Sequence, residues 1–188
     1  MRANAREAIL AAGRRAAQAH GYVGLNFRDL AQEIGIKSAS IHYYFPSTAD
    51  LGAAVARRYW EDAKARLEEM ASDAFDPIDA LRIYPDAVFR RSLETGNRLC
   101  LCSFMSAEVD DLPDAVKAEV AAFADVNVAW LGKTLVDAGV QTSEHAEARA
   151  RAIFAAVSGA QLMARSRADL SLFDTLIGTY RASGLLPA

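Results

Sequence analysis

Between Phe27 and Pro46 the chain carries two helix-length apolar patterns that meet at one glycine, Gly35, and that spacing leaves few folds open. Leu30, Ile34, Ile36, Ile41 and Tyr44 occupy the positions that must face inward when two short helices cross at a steep angle. Ala31 supplies the small residue needed at the crossing, and Gly35 tolerates the positive φ that the turn demands. The second helix, expected over 38–44, turns Lys37, Ser38, Ser40, His42 and Tyr43 outward, and each of these side chains can donate a hydrogen bond. A helical hairpin buried in a core is the plain alternative, because periodicity by itself allows it. Core hairpins rarely present such a run of polar and aromatic donors to solvent, so the pattern points to duplex DNA.

The remainder of the sequence also reads as helix. Just over half of the residues are apolar (52%), enough for a sizeable core, and Ala, Leu and Arg dominate while prolines are few. The fold class expected is all-α, with about nine helices and no strand. The first helix spans 5–20, with Gly21 just past its end in the usual position for a C-terminal glycine. Asn26 caps a short helix ending at Ile34, and Ser47 caps a long one that runs to Met70. Further helices are expected from Ile78 to Thr95, Leu99 to Val109, Asp114 to Asp137, Ser143 to Arg167 and Leu170 to Ser183. The break at Pro46 divides the chain into a helix-turn-helix head over 1–46 and a body over 47–188, with the helix over 47–70 joining them.

Charge supports one basic end. Residues 1–50 hold six basic and four acidic groups, a net of +2, whereas the other 138 residues hold 15 basic and 20 acidic groups, a net of −5. Such a balance suits a protein that brings one end to phosphates. Arg14 and Arg15 interrupt the first apolar stretch, so no signal-peptide core is expected, and no run is apolar enough to span a bilayer. A cytoplasmic protein follows, with Cys100 and Cys102 as reduced thiols. The three histidines form no i, i+4 ligand pair, and neither a phosphate loop nor a nucleophile elbow is present. No metal, no cofactor and no catalysis are expected.

Ile9-Leu10-Ala11-Ala12, His20-Gly21-Tyr22, Phe27-Arg28-Asp29-Leu30-Ala31, Gly35-Ile36 and Ile41-His42-Tyr43-Tyr44-Phe45-Pro46-Ser47 together resemble the head of the tetracycline-repressor (TetR) family. The resemblance implies that the helix Ser38–Tyr44 enters the major groove. Lys37, Ser38, Ala39, Ser40, His42 and Tyr43 match contact positions there, and Arg28 matches one on the preceding helix. Arg28 and Lys37 suit phosphates, Ser40 and Tyr43 suit phosphates or base edges, and Ala39 suits a thymine methyl. Thr48 stands where a lysine is common, so a hydroxyl replaces one ammonium contact. His42 stands where a tyrosine is usual, which makes that contact sensitive to pH, and Leu25 stands where a threonine is common.

For the body, the resemblance implies an apolar effector pocket and a homodimer. Trp60, Phe89, Phe104, Met105, Phe123 and Trp130 are the candidate lining, with Glu108 and Asn127 as polar anchors; ordinary core packing is the simpler reading of the aromatics. The small-residue stretch with Ala152, Ala156, Gly159, Ala160 and Met163, together with Phe173 and Ile177 on the last helix, is the candidate dimer interface; tight packing within one chain is the alternative. Cys100 and Cys102, two apart on a helix, point about 200° away from each other and read first as small buried hydrophobes. Cys100 also matches a sensing cysteine found in a branch of the family, with a pKa lowered by the start of its helix. The function expected is a DNA-binding repressor released from a palindromic operator by a small apolar effector. The alternatives are the same dimer switched by oxidant or electrophile at Cys100, and a helical enzyme or lipid-binding protein whose head only resembles a DNA reader.

Overall fold

The computed structural model describes the backbone of residues 2–188 and the side chains of residues 5–188. Ten α-helical segments follow one another: α1 (Arg2–His20), α2 (Phe27–Ile34), α3 (Ser38–Tyr44), α4 (Thr48–Asp73), α5 (Pro77–Pro85), α6 (Arg91–Glu94), α7 (Leu101–Ser106), α8 (Asp114–Asp137), α9 (Ser143–Arg167) and α10 (Leu170–Ala182). A π turn over Asp86–Arg90 joins α5 to α6 without a break, so the described residues form nine α-helical runs and no strand. The all-α expectation is met. Among the described residues no helix is long and apolar enough to cross a membrane.

The chain folds as two compact units. The first takes Met1–Asp62 and Cys100–Phe123; the second takes Ala63–Leu99 and Ala124–Ala188, so the boundary falls inside α4 and inside α8. The head expected over 1–46 lies within the first unit.

Local chemistry accounts for most element ends. The Asn26 side chain accepts hydrogen bonds from the backbone N–H groups of Arg28 and Asp29, satisfying two donors that α2 cannot pair itself. Past the other end of α2, Gly35 adopts φ 73°, ψ 33°. Its N–H bonds the Gln32 carbonyl at 3.4 Å, and the Ile36 N–H bonds the Ala31 carbonyl at 3.0 Å, which is the paired closure of a helix that ends in a left-handed glycine. Ser47 and Asp50 cap α4 reciprocally: Ser47 Oγ accepts from the Asp50 N–H at 3.2 Å, and Asp50 Oδ2 accepts from the Ser47 N–H at 3.0 Å.

Three expectations need correction. The helix expected from Ile78 to Thr95 passes over Pro85, which has no N–H and whose ring crowds the carbonyl one turn back. The chain answers with the wider π turn that follows. Gln161 of α9, fully buried, donates from Nε2 to the Phe89 carbonyl and to Ser92 Oγ, both at 2.7 Å, and so closes that turn. The helix expected from Leu99 begins instead at Leu101, with Cys100 at φ −51°, ψ 131° outside it. The 200° argument for two cysteines on one helix therefore does not hold, although both thiols are buried. Gly21 does lie past α1, but at φ 69°, ψ −158° it is far from the left-handed helical geometry of a usual C-terminal glycine.

In the first unit, Ile9, Leu25, Leu30, Ile41, Leu51 and Leu101 are the fully buried aliphatic centre. In the second, Leu81, Tyr84, Phe89 and Phe173 play that part, and α9 packs along α10.

Candidate nucleic-acid interface

α3 is held against α2 by its inner side and leaves its outer side free. Ile41 is fully buried, Phe45 follows it inward, and Leu30 and Ala31 of α2 are buried behind them. Apolar contact therefore fixes the rotation of α3 about its own axis, which decides the direction of every other side chain on it. Lys37, Ala39, His42 and Tyr43 are exposed, Ser38 and Ser40 are partly exposed, and Tyr43 reaches 69% exposure although it is a large aromatic. Tyr43 stands edge-on to Tyr44, with ring centroids 5.1 Å apart. His42 packs edge-on against Phe27 at 4.7 Å, and its Nδ1 lies 3.5 Å from the Pro46 carbonyl oxygen. Arg28 is exposed on α2 and Thr48 is partly exposed at the start of α4.

The cations differ in commitment. Arg15 is engaged by Glu33 at 2.6 Å. Arg14 is engaged by Asp62 at 3.1 Å and lies over the Tyr59 ring. Among the described residues no ion pair engages Arg28 or Lys37, so neither must break one to meet a phosphate. Seven of the eight residues read as DNA contacts thus lie on α2, α3 and the turn between them, and Thr48 lies at the start of α4.

The other candidates fall in both units. In the first unit, Trp60 Nε1 donates to Glu119 Oε2 at 2.8 Å. The hydrogen bond from Arg57, helped by that indole N–H, holds the Glu119 carboxyl below its ordinary value. Phe123 packs on Tyr59, Met105 is buried and Phe104 is partly buried. Glu108 accepts from the Tyr22 N–H at 2.8 Å. Its carboxylate lies where a Cβ on Gly21 would stand, 2.1 Å from that position, so it secures the end of α1.

In the second unit, Asn127 is fully buried and accepts from the Tyr84 hydroxyl at 3.0 Å. Phe89 packs on Phe154. Trp130 stacks on Tyr84 and lines a cavity of about 630 Å³ between α4, α5 and α8. The other seven residues expected to line the pocket are not among the lining of this cavity. Its walls include Leu67 of α4, Ala80 of α5 and Val126 of α8, which sequence reasoning missed because nothing in their residue type sets them apart from ordinary core.

Ala160, Phe173 and Ile177, read as interface, are buried within the chain, where they join α9 to α10. Ala152, Ala156, Gly159 and Met163 remain at least partly exposed along one face of α9. Cys100 is fully buried, and burial pushes its thiol up, against the lowering expected from a helix start; hydrogen bonds from Tyr59 and Ser103 only partly offset this. Among the described residues no group of three or more His, Cys, Asp or Glu could hold a metal ion.

Residues 9–55 match the family model for bacterial regulatory proteins of the tetR family. A TetR transcriptional regulator from Legionella pneumophila superposes with a TM-score of 0.89 at 27% identity, over 95% of this chain and 96% of that one. The chain is thus similar to TetR-family regulators, in its head by sequence and along its length by fold. A second family regulator, from Agrobacterium tumefaciens, matches at TM-score 0.89 and 27% identity over 97% and 98% of the two chains. The reduced form of Escherichia coli NemR shares the fold at TM-score 0.84 and 22% identity over 97% of each chain. No protein of curated function matches the sequence. The head match and the shared fold support a DNA-binding transcriptional regulator, with α2 and α3 as its helix-turn-helix.

Proposed function

We propose that the chain is a cytoplasmic repressor that binds a palindromic operator as a homodimer and leaves it when a small apolar effector enters the body. The observation that carries this is the donor-rich outer face of α3, exposed from Lys37 to Tyr43 and backed by buried Ile41. Two such helices must meet successive major grooves ~34–36 Å apart, which one chain cannot do. The small residues Ala152, Ala156 and Gly159, exposed or partly exposed, give α9 with Met163 a face on which a second copy can pack closely. α4 has residues in both units and is the element proposed to carry the effector's signal.

Salt dependence tests this reading. Binding to a palindromic fragment from the protein's own promoter should weaken steeply as salt rises. Lys37→Ala removes two phosphate contacts per dimer and should make the log–log slope shallower by roughly 1.8, with a similar loss on every operator variant. A slope unchanged by Lys37→Ala would remove that residue from the phosphate contacts, and salt-independent binding would remove the DNA-reading role altogether.

A second reading, switching through Cys100, is favoured by one set of contacts. The Cys100 thiol bonds the Tyr59 side chain, and Arg14 of α1 lies over the Tyr59 ring at 4.7 Å. An adduct on this buried sulfur would overpack its surroundings and displace α1 through Tyr59. The raised thiol sets the sign: thiolate is scarce at neutral pH and grows as pH rises. In a Cys102→Ser background, maleimide labelling of Cys100 should be slow at pH 7 and still accelerating where free cysteine has levelled off. Oxidant should release operator from wild type but not from Cys100→Ser; equal release from both ends this reading.

A further inference from the structure

We propose that the cavity between α4, α5 and α8 takes an uncharged, planar aromatic molecule that stacks on Trp130. The inference rests on the effector reading above and names the chemistry of its ligand. Three features of the second unit lead to it.

The first is size and wall chemistry. The volume of about 630 Å³ falls in the range of sites for drug-sized ligands, room for roughly two to three fused rings. Leu67, Ala80, Val126 and Ala129 make the surface largely apolar.

The second is Trp130. Tyr84 covers one face of the indole, with ring centroids 5.7 Å apart and planes 17° from parallel. Tyr84 itself does not line the cavity, whereas Trp130 does. A flat ligand on the indole face opposite Tyr84 would extend the stack to three rings, an arrangement that aromatic quadrupoles favour when offset. Trp130 Nε1 is buried without a hydrogen-bond partner among the described residues. The ring is thus held by packing rather than by a polar tether.

The third is charge. The rim carries Lys64 and Glu68 on α4, and Lys133 and Asp137 on α8. Each lysine lies one turn from its own carboxylate: Lys64 to Glu68 at 3.9 Å, and Lys133 in a tight pair with Asp137. The rim therefore offers no net charge. A carboxylate or ammonium ligand must break one of these pairs or enter uncompensated, whereas a neutral ring leaves both intact. Thr134 Oγ donates to the Trp130 carbonyl at 2.8 Å, so its remaining lone pairs can accept from a ligand O–H or N–H.

The test uses the full chain with Trp60→Phe, which leaves Trp130 as the only tryptophan. Three probes of one shape are titrated against its fluorescence: 2-naphthol, 2-naphthoate and a naphthyl-trimethylammonium salt. 2-Naphthol should quench Trp130 and bind at least tenfold tighter than either charged probe. Ala129→Phe and, from the facing helix, Ala71→Phe should each weaken it tenfold or more; both replace surface residues, and an unchanged melting temperature confirms folding. Preference for a charged probe, no quenching by any probe, or undiminished binding in two folded variants would overturn the proposal. Operator affinity is measured in parallel. Saturable naphthol binding that both fillers abolish, without any change in operator affinity, supports the ligand class and removes only the effector role.

Discussion

Truncation of Tyr84 to alanine is expected to destabilise the protein by about 3–5 kcal/mol, the range for deleting a fully buried aromatic ring. Tyr84 has no exposed surface. It stacks on Trp130, meets Phe89 edge-on at 6.1 Å, and donates its hydroxyl proton to Asn127. Three kinds of interaction are lost together, and the surrounding helices can collapse only partly into the space. Tyr84→Phe separates them, because it keeps both ring contacts and loses one buried hydrogen bond, at a cost of about 1 kcal/mol. Urea unfolding of the two variants gives the comparison. If Tyr84→Ala cost no more than Tyr84→Phe, the ring would not be the keystone of the second unit. Since Tyr84→Phe preserves the stack on Trp130, it should also preserve naphthol binding.

Gly21→Ala is the counterpart in the first unit, with an expected loss of about 3–5 kcal/mol from two sources. At φ 69°, ψ −158° the backbone occupies a region that is essentially reserved for glycine, and a side chain there costs about 1–3 kcal/mol. The added methyl would also stand 2.1 Å from Glu108 Oε1. The carboxylate is the flexible end of its side chain and can swing away, so the collision itself is cheap. What is lost is its bond with the Tyr22 N–H, a charge-assisted contact worth about 1.5–3 kcal/mol. A double-mutant cycle with Glu108→Ala divides the two: Gly21→Ala should be milder in that background by the value of the lost bond, leaving the backbone strain alone. Strict additivity would show that Glu108 and Gly21 do not interact.

Gly21 also marks the limit of what spacing reveals. Its place after α1 was legible, since a helix ending in glycine leaves a local signature. Its torsion was not, because that depends on Glu108, 87 positions away. The head was the most readable region: Asn26, Gly35 and the Ser47–Asp50 pair act on groups within four residues, and the bounds of α2, α3, α8 and α9 follow from such signals. Pro85 carried a local signal too, and its consequence, a π turn closed by Gln161, needed a partner on another helix.

The body candidates divide between the two units in a way that residue type does not reveal. Trp60, Phe104, Met105, Glu108 and Phe123 fall in one unit and Phe89, Asn127 and Trp130 in the other, a division that no window along the chain displays. Residue type identified them as aromatic, sulfur-bearing or polar, which is all that type can do.

From its order of residues alone, then, the chain specified helices, their caps, the turn at Gly35 and the outward donors of α3. Such features arise from backbone sterics and hydrogen bonds that act over one or two turns. Folding in three dimensions decided that Cys100 is buried beneath Tyr59, that Phe173 closes its own chain, and that Trp130 borders a cavity. Burial and cavity shape are set by segments far apart in the chain meeting at close-packed distance, and no local rule counts those meetings.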